Sequence, residues 1–145
     1  MIENKTFEEK AKITEVLGEA ILVLMNSNAH RLNFFIGDIE WLLLSPISKE
    51  QFRLYKDKEG KPVGLILWAY VNDEVDKRLR MGIGKLGFDE WNSGNNLWII
   101  DFIAPFGGSD KMIEELKETV FKGKNFKYQT IDKDGNRKIL EDKGI

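Results

Sequence analysis

His30 is the single histidine of the chain, and Asp101 is an aspartate set inside an apolar run. These two residue types suit acid–base chemistry. An imidazole is the only side chain whose unperturbed pKa lies near neutrality. His30 lies in the turn-forming stretch MNSNAHR, three residues after Ser27 and directly before Arg31. Asp101 lies in LWIIDFIAPFGG, residues 97–108, where an acid is costly to bury unless it is paired or used. Spacing alone leaves two readings for each. His30 is a cap or surface imidazole, or it is a base. Asp101 is a buried acid satisfied by arginine or backbone donors, or it orients a base as an acid does in a triad-like site. Ser27 reads first as a helix cap, since no nucleophile-elbow pattern surrounds it. Ala104, Pro105, Phe106, Gly107 and Gly108 close the apolar run. Glycines ahead of a helix allow close backbone approach and present N–H groups to a carbonyl or a phosphate; the other reading is a tight turn.

Two further features invite a function and are weighed against a plainer role. RLRMGIG, residues 78–84, suggests a phosphate-cradling loop, but its Arg-to-Gly spacing and its place before the apolar run fit a flexible loop better. Trp68 and Trp98 fall on neighbouring predicted strands, where they would wall a narrow apolar slot or simply fill the core.

Composition bounds the rest. The chain has 145 residues, 42% hydrophobic and 32% charged, which suits one globular domain over residues 1–145. A net charge of -2 argues against nucleic acid as a partner. The absence of Cys excludes disulfides, thiolate metal sites and a Cys nucleophile, and a single His makes a histidine-based metal site unexpected. No apolar run approaches the roughly 20 residues that span a bilayer. MIENKTFEEK lacks the order of a secretion signal, so a cytoplasmic protein without stable membrane insertion is expected.

The elements that must position these residues follow from periodicity. Thr6 and Glu9 fit a capping box, and Ile13, Val16, Leu17, Ala20, Ile21 and Leu24 give a helix over 7–25. Gly18 within it suggests close packing. A second, mostly buried helix is expected over 34–44, stopped by Ser45-Pro46. Residues 51–56 and 63–70 form a hairpin, 72–79 a short helix and 80–94 a loop. The apolar run is a strand over 97–104. Ser109 caps a third main helix, and 125–131 with 136–140 close the chain as a hairpin. The order predicts an α+β fold: a mixed, mostly antiparallel sheet flanked by about three helices, with a right-handed crossover after the apolar strand.

Taken together, these pieces resemble the RTX toxin-activating lysine acyltransferases. The resemblance runs from Leu17-Gly18 through Ser27 and His30-Arg31, then Pro46, Gln51-Phe52, Pro62-Val63 and Trp68-Ala69. It continues through Trp91 and Ser93-Gly94 to Trp98–Gly107. It implies a GNAT-like fold and transfer of a fatty acyl group from acyl carrier protein to internal lysines of a protoxin or another lysine-bearing protein. His30 and Asp101 match its catalytic residues. It implies His30 as general base, with Asp101 either holding the imidazole or touching the lysine. Ser27, Arg31, Trp68 and the Ala104–Gly108 turn are then the candidates for contact with the donor or substrate. No bound cofactor is expected, acyl carrier protein supplying the phosphopantetheine thioester. Lys111, Lys117, Lys122, Lys124 and Lys127 are candidates for its docking patch, and a homodimer is a family expectation. The alternatives are an acyl-coenzyme A-dependent enzyme of the GNAT type and a non-catalytic binding module on the same fold.

Overall fold

The computed structural model describes Ile2 and residues 4–145. Helix α1 spans Phe7–Leu24 and α2 spans Asn28–Asn33. A π-helical segment, Ile39–Leu44, runs into the helical turn α3, Ser45–Ser48. Strands β1 (Phe52–Lys56) and β2 (Pro62–Val71) form the first hairpin, followed by α4 (Asp73–Arg80). Then come β3 (Asn96–Ile103), α5 (Ser109–Glu118), β4 (Asn125–Ile131) and β5 (Arg137–Lys143). The five strands lie in sequence order, and every pairing is antiparallel except β3 with β4. That parallel step requires a crossover, which α5 supplies.

The sheet separates two apolar layers. On one face, Leu65, Leu67, Ala69 and Val71 of β2 and Trp98 of β3 pack with Ile13, Ala20, Val23 and Leu24 of α1. On the other, Ile66 and Trp68 of β2 and Leu97 and Ile99 of β3 pack with Met112 and Leu116 of α5, and with Phe121 and Phe126. Strand β2 is apolar on both faces because it is covered on both faces. The charged β5 forms an exposed edge, which discourages pairing with another chain.

The chain departs from expectation between α1 and β1. A helix was expected over 34–44; instead the helical turns are Asn28–Asn33 and Ile39–Ser48, with residues 34–38 between them. Asp38 breaks the run by folding back on itself: its carboxylate accepts from the Phe35 N–H at 2.8 Å and from the Trp41 indole at 3.0 Å. Ser45-Pro46 does not stop the second helical run. Pro46 sits in the first turn of α3, where its missing N–H costs nothing. The Ser45 N–H and hydroxyl both turn back to the Glu40 carbonyl, the wide-turn geometry of a π segment.

Gly18 is not at a close approach: a methyl group there meets nothing within 4 Å. At Gly94 the opposite holds, a Cβ lying 2.6 Å from the Asn72 Cα and from the Val71 carbonyl oxygen. Gly18→Ala is therefore expected to stabilise by about 0.5–1 kcal/mol, and Gly94→Ala to destabilise by roughly 1–3 kcal/mol. Urea denaturation of both variants checks the pair; equal shifts of one sign would contradict it.

Candidate active site

The local sequence brings His30 and Asp101 together from 71 positions apart. Leu24 ends α1, and the turn at Met25–Asn26 lets Ser27 start α2. Ser27 is the N-cap residue, but its hydroxyl makes no capping bond. It lies 2.7 Å from His30 Nδ1 instead, one helical turn on. His30 Nε2 lies 2.7 Å from Asp101 Oδ2. The three side chains form one hydrogen-bonded line, hydroxyl to imidazole to carboxylate.

A β-bulge aims Asp101. Leu67 pairs with Asp101, but Trp68 pairs with Ile99, so Ile100 is the extra residue. Ile99 and Phe102 belong to the α5 layer, and Ile100 and Ile103 to the α1 layer. Two consecutive residues, Ile100 and Asp101, therefore face the α1–α2 side. A bulge re-aims a side chain in this way. The second carboxylate oxygen, Oδ1, accepts the N–H of Phe102 at 2.9 Å, which fixes the acid's rotation.

The pair is partly buried, with 18% of the His30 side chain and 24% of the Asp101 side chain exposed. The Asp101 hydrogen bond raises the His30 pKa above its ordinary 6.5; burial opposes this, and the carboxylate's charge adds to it. A raised imidazole pKa contributes stability that is complete below the unfolded value and is lost as pH rises through the folded one. Proton NMR of the one imidazole is expected to give a midpoint above 6.5, falling in Asp101→Asn. A midpoint that ignores the Asp101 substitution would contradict the assignment.

Asp101 also lines a cleft of about 900 Å³. Its β3 wall includes Trp98, Ile100 and Phe102, with Ala104 just past the strand, its β4 wall Tyr128, Gln129 and Thr130, and Trp41, Leu79 and Lys85 also line it. Strands β3 and β4 pair at Trp98 with Lys127, and both strands line the cleft. Asp76 of α4 secures that junction. It accepts from the Trp98 indole at 2.8 Å, Lys127 Nζ at 2.7 Å and Arg80 Nε at 2.8 Å. Sequence reasoning missed Asp76, although its place between Val75 and Leu79 on the buried side of α4, with Arg80 four residues on, was the available signal.

The remaining candidates are spread out. Arg31 is exposed and lines a recess of about 320 Å³ with Ile21, Leu24, Met25, His30 and Phe34. Trp68 does not share a slot with Trp98. The two belong to opposite layers of the sheet, because their strands pair Trp68 with Ile99 and Trp98 with Ala69. Trp68 is 3% exposed and packs edge-on against Phe121. In the glycine turn the Gly107 N–H donates to the Ala104 carbonyl at 3.1 Å. Phe106, Gly107 and Gly108 line a separate recess with Tyr55, Lys56 and Met112, while Ala104 and Ser109 reach the cleft. Pro105 is half-buried between them.

The Gly-rich loop is not a free phosphate cradle. Arg78 binds Glu90 through two bonds at 2.6 and 3.0 Å. Arg80 is held by Asp76, and the Arg137 guanidinium lies against Gly82. Among the lysines, Lys117 pairs with Asp142 and Lys127 with Asp76, whereas Lys111, Lys122 and Lys124 are exposed.

Comparison with known proteins gives the frame for this geometry. The profile of the RTX toxin acyltransferase family matches residues 9–141. The chain is 37% identical over 127 residues to the uncharacterized protein sll0720 of Synechocystis, covering 87% of this chain and 85% of that one. It is 30% identical over 113 residues to the lysine-acyltransferase RtxC of Vibrio cholerae, covering 77% and 72%. It is 32% identical over 103 residues to the RTX-II toxin-activating lysine-acyltransferase ApxIIC of Actinobacillus pleuropneumoniae, covering 71% and 63%. With the match running through both halves of the hydrogen-bonded pair and the strands around the cleft, this chain belongs to the RTX toxin acyltransferase family and is an acyltransferase.

Proposed function

We propose that this enzyme moves a fatty acyl group from an acyl carrier protein thioester to a lysine of an RTX-type protoxin in the cytoplasm. The lysine and toxin parts of the reading draw on the names of the relatives. The observation that carries the mechanism is the 2.7 Å contact between His30 and Asp101 beside the cleft.

A lysine ammonium cannot attack a thioester, so a base must first remove its proton. In neutral His30, the proton on Nε2 is donated to the Asp101 carboxylate. That leaves Nδ1 as the basic nitrogen, and Nδ1 faces Ser27 Oγ at 2.7 Å. The lysine proton reaches Nδ1 through the Ser27 hydroxyl or in its place. The neutral amine then attacks the thioester carbonyl, forming the C–N bond. The C–S bond breaks as the tetrahedral intermediate collapses; the departing sulfur takes the proton held by His30, which returns the imidazole to neutral, and the attacking nitrogen gives up its surplus proton to solvent. Asp101 stabilises the imidazolium that forms in between and keeps the ring oriented.

The cleft is the candidate slot for the donor's thioester arm and acyl chain, its apolar wall including Trp41, Leu79, Ile100 and Phe102. Exposed Lys111, Lys122 and Lys124 suit an acidic carrier protein. No observation favours coenzyme A, since the arginines of the Gly-rich loop are already paired. The test compares fatty acyl carrier protein with fatty acyl-coenzyme A as donor to the same protoxin, read by intact mass. Transfer from the carrier protein is expected; efficient transfer from coenzyme A alone would overturn the donor assignment.

A further inference from the structure

We infer that the recess between α1 and α2, lined by His30, admits the lysine-bearing segment of the protein substrate, while the acyl donor occupies the cleft lined by Asp101. The inference rests on the transfer reading above and adds which substrate uses which opening.

Transfer needs two substrates to meet at one imidazole. The His30–Asp101 bond joins residues that line two different openings. Asp101 lines the cleft of about 900 Å³, and His30 lines the recess of about 320 Å³. A fatty acyl chain on a thioester arm needs the larger space. A lysine needs a short apolar channel for its methylene stem and a polar end for its nitrogen. Ile21, Leu24 and Phe34 provide such walls, and His30 lies among them.

The surroundings of the recess describe the segment that carries the lysine. Met25 is 58% exposed, Leu22, one turn earlier on α1, is 51% exposed, and Leu32 beside Arg31 is 81% exposed. Single exposed apolar side chains are ordinary, but Met25 lines the recess, and Leu22 and Leu32 adjoin its lining residues Ile21 and Arg31 in the chain, which suits apolar residues flanking the target. Arg31 lines the same recess and forms no ion pair among the described residues. A guanidinium left free here matches a carboxylate on the incoming segment, through a bidentate contact. Its charge also disfavours the ammonium form of an entering lysine, the form that cannot attack. The partner is therefore a segment with a lysine between apolar residues and an acid close by.

Arg31→Glu and Met25→Asp test this, using acyl carrier protein as donor and a protoxin fragment that the wild-type enzyme acylates. Both side chains are exposed, and circular dichroism checks that both variants fold. The KM for the fragment is expected to rise about tenfold or more, as for loss of a charge-assisted contact, with the KM for the donor unchanged. Replacing the acid beside the target lysine with lysine is expected to recover part of the loss in Arg31→Glu. A rise in donor KM would assign the recess to the donor or its carrier protein, and unchanged values for both would remove the recess from recognition. Either result overturns the inference while leaving the transfer reading intact. That reading fails separately, if His30→Gln transfers at the wild-type rate.

Discussion

His30→Gln is expected to lower the rate of acyl transfer by roughly 10²–10⁴-fold, the span for removal of a general base, with little change in stability. Glutamine keeps a polar group against Asp101 but offers no nitrogen that can take a proton at neutral pH. The imidazole is partly buried, and it and its partners, Ser27 and Asp101, all retain some access to water. The loss should therefore appear in kcat rather than in folding. Asp101→Asn provides the second arm. It keeps the shape of the acid and removes the charge that raises the imidazole's pKa, so the acidic limb of the pH–rate profile moves to lower pH. A His30→Gln enzyme with wild-type kcat would contradict the mechanism, as would an Asp101→Asn profile that stays in place.

The largest stability effect is expected at Asp76. Its carboxylate is 12% exposed and holds Lys127, 17% exposed, together with Arg80 and the Trp98 indole. Asp76→Ala removes one side of a buried pair and leaves Lys127 uncompensated, which costs about 3–5 kcal/mol. The pH dependence has a definite sign. Burial alone would raise this carboxyl, but the bonds from Lys127, Arg80 and Trp98 outweigh it and hold the pKa at about 2. A depressed carboxylate contributes stability above its unfolded value of 3.8 and loses it as pH falls through about 2. The shift corresponds to about 2 kcal/mol. Urea denaturation between pH 5 and pH 2 should show a steeper loss of stability in the native sequence than in Asp76→Asn, which keeps only the acid dependence of the other lowered carboxyls. Equal slopes in both would contradict the role. Because Trp98 and Lys127 are the β3–β4 pair from which the cleft opens, the folded fraction of Asp76→Asn is also expected to lose transfer activity.

Most of the fold was legible because its signals are local and strong. Continuous apolar runs marked β2 and β3, the turn residues DKEGK and DKDG marked two hairpins, and the cap at Thr6 marked α1; α5 starts where expected, but its N-cap is the left-handed Gly108, and Ser109, expected to cap it, is its first residue and makes no capping bond. The segment after α1 was less legible. Phe34–Leu44 is apolar enough for one helix, but the Asp38 side chain competes for the Phe35 N–H and breaks it. The site was legible in its residue types, and the resemblance linked them, but the geometry was not. Strict alternation along β3 would put Asp101 with Leu97 and Ile99 on the α5 side, away from His30. Only the bulge at Ile100 turns it back, and nothing in LWIIDFIAP marks a bulge. The same limit applies to Trp68 and Trp98, whose strands are adjacent while their side chains face opposite layers. Arg80, one turn further along α4, was the local sign of Asp76, but its partners on β3 and β4 were hidden, because only the assembled sheet brings them to it.

The central claim is that His30, held by Asp101, prepares a lysine for acylation from a carrier-protein thioester. Its most direct test is to incubate the purified enzyme with fatty acyl carrier protein and an RTX protoxin, then map the protoxin by tandem mass spectrometry. The expected result is a fatty acyl mass on a lysine Nζ, stable to hydroxylamine as an amide, with an equal amount of free carrier-protein thiol released and none formed with His30→Gln. No acylated lysine with the native sequence, or the same modification with His30→Gln, would contradict it.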